Sequence, residues 1–150
     1  MPNKNLLQSP ITDMAMIQQM LPHREPMLLV DTLSYVDNRK AVAHLTILAS
    51  NIFVDSEQLS ETGLIEHMAQ SSALYIGHEH IVQNLPIKEG FIAMIKNLRI
   101  DRLPKIKETV DTEAQIDYEI GDMKVVNITT TINNNIIATA EMTLVLKEKS

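Results

Sequence analysis

Glu66 lies in the segment Gly63-Leu64-Ile65-Glu66-His67-Met68-Ala69-Gln70, and the residues from Leu64 to Ala73 are mostly apolar or small. A carboxylate buried among such neighbours is destabilised by several kcal/mol unless it is paired; otherwise its pKa rises and it keeps its proton. A carboxyl in that state is a general acid or base near neutral pH. The competing reading is a solvated carboxylate at the edge of a helix. The segment alone leaves both open.

The chain has 5 histidines and no cysteine. Without cysteine there is no thiol nucleophile, disulfide framework or Cys-based zinc site. His67 follows Glu66 directly, so on a helix it points about 100° away and does not share a site with it. His78 and His80 flank Glu79. His-x-His invites a metal reading, but no further ligand cluster accompanies it. Positive charge near a helix C-terminus is sufficient explanation. No metal and no cofactor is expected.

These residues need elements to hold them. Thr12 and Asp13 can cap a short helix with a stripe of Met14, Ile17, Gln18, Met20 and Leu21, stopped by Pro22. Met1 to Pro10 reads as a loose lead-in. Met27 to Val36 is strand-like, Asp37-Asn38 a turn, and Lys40 to Leu48 alternates as the second arm of a hairpin. Ser50 to Ser60 reads as a loop. A central helix runs from Ser60 to about His80, with the stripe Leu64, Ile65, Met68, Ala69, Ser72, Ala73 and Ile76. Period-two patterning then gives strands at Gly90–Ile100, Thr109–Ile120, Met123–Ile132 and Ile136–Lys147, with turns at Gly121-Asp122 and Asn133 to Asn135. A long apolar helix among antiparallel strands needs a sheet to cover it, which makes an α+β protein of one domain over residues 1–150.

Composition narrows the function. Hydrophobic residues are 45%, aromatics 3% and methionines 9 in number, so aliphatic side chains and adaptable Met fill the interior. A net charge of −6 argues against a general nucleic-acid binder. No apolar run reaches the roughly 20 residues of a membrane span, and the N-terminus has no signal-like apolar region. A cytoplasmic protein is expected.

The string Leu21-Pro22-His23-Arg24-Glu25-Pro26-Met27-Leu28-Leu29-Val30-Asp31 resembles the N-terminal signature of 3-hydroxyacyl-acyl-carrier-protein dehydratases. The segment Leu64 to Gln70 resembles that family's central helix, in which a catalytic Glu precedes a similar Ala-Gln. Lys96 to Val110 resembles its third strand and the basic, proline-containing connection that comes next. The resemblance covers nearly the whole chain and implies the hotdog fold, a long helix wrapped by a curved, mostly antiparallel sheet.

One departure bears on the chemistry. The family's catalytic His lies in a Gly-His-Phe-Pro-Gly loop before the central helix. Here Ser50 to Thr62 contains no His, Pro or Gly, and Ile52 falls at the family His position. The chain resembles a His-less branch related to the dehydratases of aryl-polyene and similar pigment clusters. At the helix start Ser60-Glu61 replaces the family's Pro-Gly, and Gly63 lies nearer the Glu than the family glycine does.

The resemblance implies roles for individual residues. Glu66 protonates the leaving hydroxyl. His23 either substitutes for the lost base, as an imidazole near pKa 6.5 can, or braces the turn together with Arg24. Met27, Ile52, Thr62 and Gly63 contact substrate, and the helix amides near Glu61 to Gly63 polarise the thioester carbonyl. Lys96, Arg99, Arg102, Lys105 and Lys107 form a basic window which, with Arg24, faces an acidic acyl carrier protein; a solvated, aggregation-blocking strand edge is the other reading. Family sites take His and Glu from opposite subunits. The chain is therefore a homodimer with its own base or a heterodimer with a His-containing paralogue. The second accounts for a retained Glu beside a lost His. A non-catalytic acyl- or carrier-binding subunit and an acyl thioesterase are the alternatives.

Overall fold

The structure, a computed structural model, describes residues 4–147. Residues 1–3 of the expected lead-in and residues 148–150 of the expected domain lie outside the described residues. The order is α1 (Met14–Met20), β1 (Thr32–Val36), β2 (Lys40–Thr46), β3 (Val54–Asp55), β4 (Gln58–Leu59), α2 (Glu61–Val82), β5 (Glu89–Ile100), β6 (Thr109–Ile120), β7 (Met123–Ile132) and β8 (Asn135–Lys147). Six strands form one antiparallel sheet in the order β1-β2-β6-β7-β8-β5. This is the expected α+β arrangement, and the boundaries of β6 and β7 fall where the alternation put them.

Helix α2 lies on the inner face of the sheet. Alternate residues of β2 and β6 point at it, and several are small: Ala41, Ala43 and Ala114 are all buried. Short side chains there let the helix approach closely without voids. Ser60 caps α2, its Oγ accepting from Gly63 N at 3.2 Å. The helix continues two residues beyond the expected end, and Asn84, at φ 56°, takes the left-handed turn that closes it. A one-sided apolar stripe understates its burial. His67, Gln70, Ser71 and Ser72 are buried as well, and each bonds to a backbone carbonyl or amide.

Three expectations need correction. Met27 to Asp31 is not part of β1. At its centre α2 side chains take the backbone groups: Gln70 Oε1 accepts from Leu29 N at 2.7 Å, Gln70 Nε2 donates to Met27 O at 2.8 Å, and His67 Nδ1 donates to Leu29 O at 2.7 Å, while Asp31 N at its end donates to His44 O of β2 at 2.9 Å. The Ser50–Ser60 loop contains the small β3–β4 hairpin, turned by Ser56 and Glu57 at positive φ. The lead-in is not loose over its described part. Leu6 N donates to Val36 O, and Ile11 exchanges backbone bonds with Leu33, so this segment covers the free edge of β1.

The opposite edge, β5, has no such cover among the described residues. Its apolar side chains Phe91, Ile92, Met94, Ile95 and Leu98 are exposed. Among the described residues no helix is long and apolar enough to cross a membrane.

Candidate active site

Helix geometry sets one wall of the site. Glu66, Ala69, Ala73, Gly77 and His80 recur every three or four residues, so they share one face of α2. That face is about 21 Å long from Glu66 to His80, at 1.5 Å per residue. The three small residues in its middle leave a trough. Met20 and Pro22 close one side and Phe91 and Ile92 of β5 the other, around a cavity of about 210 Å³. Its shape, long and largely apolar with polar groups at the ends, suits an acyl chain. Gly77 also lets α1 dock on α2, because a Cβ there would meet Met20 O at 2.0 Å.

The structure brings the two expected catalytic residues together at the mouth of this trough. His23 Nε2 faces Glu66 Oε1 at 3.6 Å, with the side chains 27% and 31% exposed. Glu66 is therefore neither sealed in the core nor free in solvent, an outcome between the two readings of its sequence. Gln70 orients it: Nε2 donates to Glu66 Oε1 at 3.1 Å while the same amide holds Met27 and Leu29.

His23 sits between opposing influences. Burial lowers its pKa most; Glu66 and Glu89 pull it up and Arg24 pushes it down, and the net direction is downward. Its Nδ1 is buried with no hydrogen-bond partner among the described residues. Nε2, at 3.6 Å, lies just beyond hydrogen-bond distance of Glu66 Oε1. His67, fully buried, is held to about 4 by burial, so it stays neutral, donating to Leu29 O and accepting from the Thr112 hydroxyl at 2.8 Å.

The other expected site residues do not line this cavity. Thr62 is exposed at the start of α2, and Gly63 gives its N–H to the Ser60 cap. A Cβ at Gly63 would meet Phe53 Cβ at 2.6 Å, so packing fixes this glycine. Ile52 is exposed, in a separate depression near Leu28 and Asp31. Met27 is exposed, joined to Glu66 only through Gln70. In the basic window, Arg99 pairs with Asp101 at 2.8 Å, Arg102 with both oxygens of Glu108 at 2.9 Å, and Lys96 lies opposite Glu141 in the β5–β8 register. Arg24 donates to the carbonyls of Leu21 and His23, both at 2.8 Å, which braces the turn that carries His23.

Sequence reasoning missed Gln70 as the residue that positions Glu66, although an amide four residues on along an apolar helix is a readable signal. It also missed His80 and the β5 wall, which only the fold brings alongside α2.

The family model described as ApeP-like, ApeP dehydratase, matches residues 15–149. The 3-hydroxyacyl-[acyl-carrier-protein] dehydratase FabZ of Rickettsia rickettsii (strain Sheila Smith) is 26% identical over 152 residues, spanning 93% of this chain and 99% of that protein. The dehydratase heterocomplex ApeI:P from Xenorhabdus doucetiae superposes with a TM-score of 0.84 at 15% identity, over 89% of this chain and 91% of that one. A hypothetical thioesterase from Streptococcus pneumoniae, solved with coenzyme A, gives a TM-score of 0.60 at 10% identity, over 78% and 85% of the two chains. At these identities the two structures speak for the fold, which is the hotdog fold.

Proposed function

The chain belongs to the ApeP-like dehydratase family, and on that premise we propose that it dehydrates carrier-bound 3-hydroxyacyl thioesters to trans-2-enoyl thioesters, with Glu66 as the acid and a histidine of a related partner subunit as the base. In this reaction the base removes the α-proton, the double bond forms, and Glu66 gives its proton to the departing hydroxyl, which leaves as water. The acyl chain lies along Ala69, Ala73 and Gly77 with its thioester end at Glu66. An exposed Arg24 beside the mouth, with Lys96, Arg99, Arg102 and Lys105, meets the acidic carrier protein.

The observation that carries the reading is the state of His23. To act as a base at Nε2, the ring would have to hold a proton on Nδ1 throughout, and that atom is buried with no acceptor among the described residues. A catalytic imidazole has its second nitrogen held by a carboxylate or carbonyl, which stabilises the imidazolium as it forms. His23 has no such support, and burial disfavours its charged form. These features favour a base from outside this chain, and the span Ser50 to Thr62, where the family carries its His, has none. A partner seated on the bare β5 edge borders the same cavity through Phe91 and Ile92. The FabZ relative is a 3-hydroxyacyl-carrier-protein dehydratase, and the ApeI:P neighbour is a heterocomplex, both in keeping with this arrangement.

The test is to give the purified protein a 3-hydroxyacyl-carrier-protein and follow loss of water by intact mass, alone and with a His-containing paralogue. Turnover only in the mixture is expected. Turnover by the single chain would return the base to His23. Release of free thiol in place of water would indicate hydrolysis, and binding without turnover a non-catalytic subunit.

A further inference from the structure

The face of the sheet turned away from α2 carries a second group of chemistry-bearing residues. Ser34 on β1, His44 on β2 and Asp111 on β6 lie in a row across three neighbouring strands. Ser34 Oγ is 2.6 Å from His44 Nε2, and His44 Nδ1 is 2.6 Å from Asp111 Oδ1. Strand register produces the row: His44 is directly opposite Asp111. Ser34 reaches it because the β1–β2 pairing slips between Leu33 and Tyr35, leaving Ser34 as the extra residue of a bulge. Bulges re-aim side chains in this way. All three residues are partly open to solvent.

The order of contacts matters more than their number. A carboxylate on Nδ1 holds the imidazole with its basic lone pair on Nε2, and Nε2 meets a serine hydroxyl. That is the arrangement in which a serine becomes a nucleophile, and it is recognised by geometry on unrelated folds. His44 thus has what His23 lacks, an acceptor for its second nitrogen.

We propose that Ser34, His44 and Asp111 form a second reactive centre, independent of Glu66, at which Ser34 Oγ takes an acyl group from a short-chain activated ester or thioester. As the Oγ–C bond forms, the hydroxyl proton passes to His44 Nε2, and Asp111 stabilises the imidazolium. The C–S or C–O bond to the leaving group then breaks, and the leaving thiolate or alkoxide takes that proton. Water repeats the sequence on the Ser34 ester and releases a carboxylic acid. The donor is short because the neighbours named here on this face are threonines, which offer no apolar bed for a long chain. Thr32 opposes His44 and Thr131 opposes Asp111, while the Thr46 and Thr109 hydroxyls, bonded at 2.8 Å, lie further along the same face. These surroundings suit an acetyl-sized group.

The experiment treats the full-length protein with a fluorophosphonate probe and, separately, with p-nitrophenyl acetate, reading intact mass, peptide mapping and nitrophenol release. One adduct on the Ser34 peptide is expected. It is absent in Ser34→Ala and forms about 100-fold more slowly in His44→Gln, the scale of losing a general base. Glu66→Gln labels like the parent chain, which keeps this centre distinct from the dehydratase site. No adduct on the parent chain, an adduct on another residue, or Ser34 labelling at an undiminished rate in a folded His44→Gln protein overturns the proposal. The parent-chain result decides the matter even if a variant fails to fold.

Discussion

Across the mouth of the trough, His23 Nε2 and Glu66 Oε1 face one another at 3.6 Å, while the opposite nitrogen of the same imidazole is buried with no partner among the described residues. The pair has the look of an acid and its base, yet only Glu66 has the surroundings that the proposed role calls for. Glu66 is oriented by Gln70 and reaches the cavity. His23 is anchored by its turn and lacks the support that would let it hold a second proton.

Glu66→Gln removes the proposed acid and keeps the shape. Dehydration by any active assembly should fall by about 100-fold or more, with an unchanged circular dichroism spectrum. Intact-mass assays with a 3-hydroxyacyl-carrier-protein measure it. Undiminished turnover would take Glu66 out of the mechanism.

His23→Asn separates brace from base. In the mixture with a His-containing paralogue, its turnover should drop by much less than the roughly 100-fold expected for loss of a general base. A loss on that larger scale, with the fold intact, would place the base in this chain.

Gln70 is both a staple and a positioning group, and two variants separate these roles. Gln70→Leu leaves the buried Leu29 N–H without its acceptor, so stability should fall by about 1–3 kcal/mol or more, visible in urea unfolding. Gln70→Glu retains that acceptor and loses the donor to Glu66; the kcat of the active assembly should fall in it while KM changes little.

Stability should depend on pH through His67. In the unfolded chain its imidazole takes a proton near 6.5, and in the folded one only near 4. Between those values the unfolded state binds more protons. The contribution of His67 is therefore fully present above about pH 6.5 and is lost as pH falls toward 4, by on the order of 3 kcal/mol. Urea midpoints at pH 7.5 and 5 should show the drop, and His67→Gln should flatten it.

Gly77→Ala introduces a methyl group that meets Met20 O at 2.0 Å. The α1–α2 contact must open, so a loss of about 1–3 kcal/mol or more is expected, read as a lower Tm. No change in Tm would mean that the two helices separate at little energetic cost.

Where local pattern and final packing agreed, the sequence could be read directly. β6 and β7 alternate cleanly because one face is buried and the other is not, so their ends are visible in the residues themselves. Met27 to Asp31 misled because Leu28 to Val30 are buried like a strand, yet the hydrogen bonds of Leu29 go to Gln70 and His67, 41 and 38 residues away. Periodicity does not encode partners at that separation. Glu66 was legible as an unusual charge on an apolar helix. The pairing of His23 with it came through the family resemblance, and the resemblance carried no sign that His23 Nδ1 is unsupported. The Ser34 row was hidden for another reason: a one-residue slip in strand register decides which side chains meet, and the alternation of β2 alone does not reveal it.

The two margins of the sheet are treated unequally: residues 4–11 guard β1, and among the described residues β5 is left with bare aliphatic and aromatic side chains. An unguarded strand margin of this kind adheres to whatever strand it meets. Under the proposed pairing, a cell making this chain has reason to produce the partner in matching amounts and at the same time, since surplus chain would carry a sticky seam with nothing to close it. On that proposal, supply of the partner becomes a matter of protein quality as well as of catalysis.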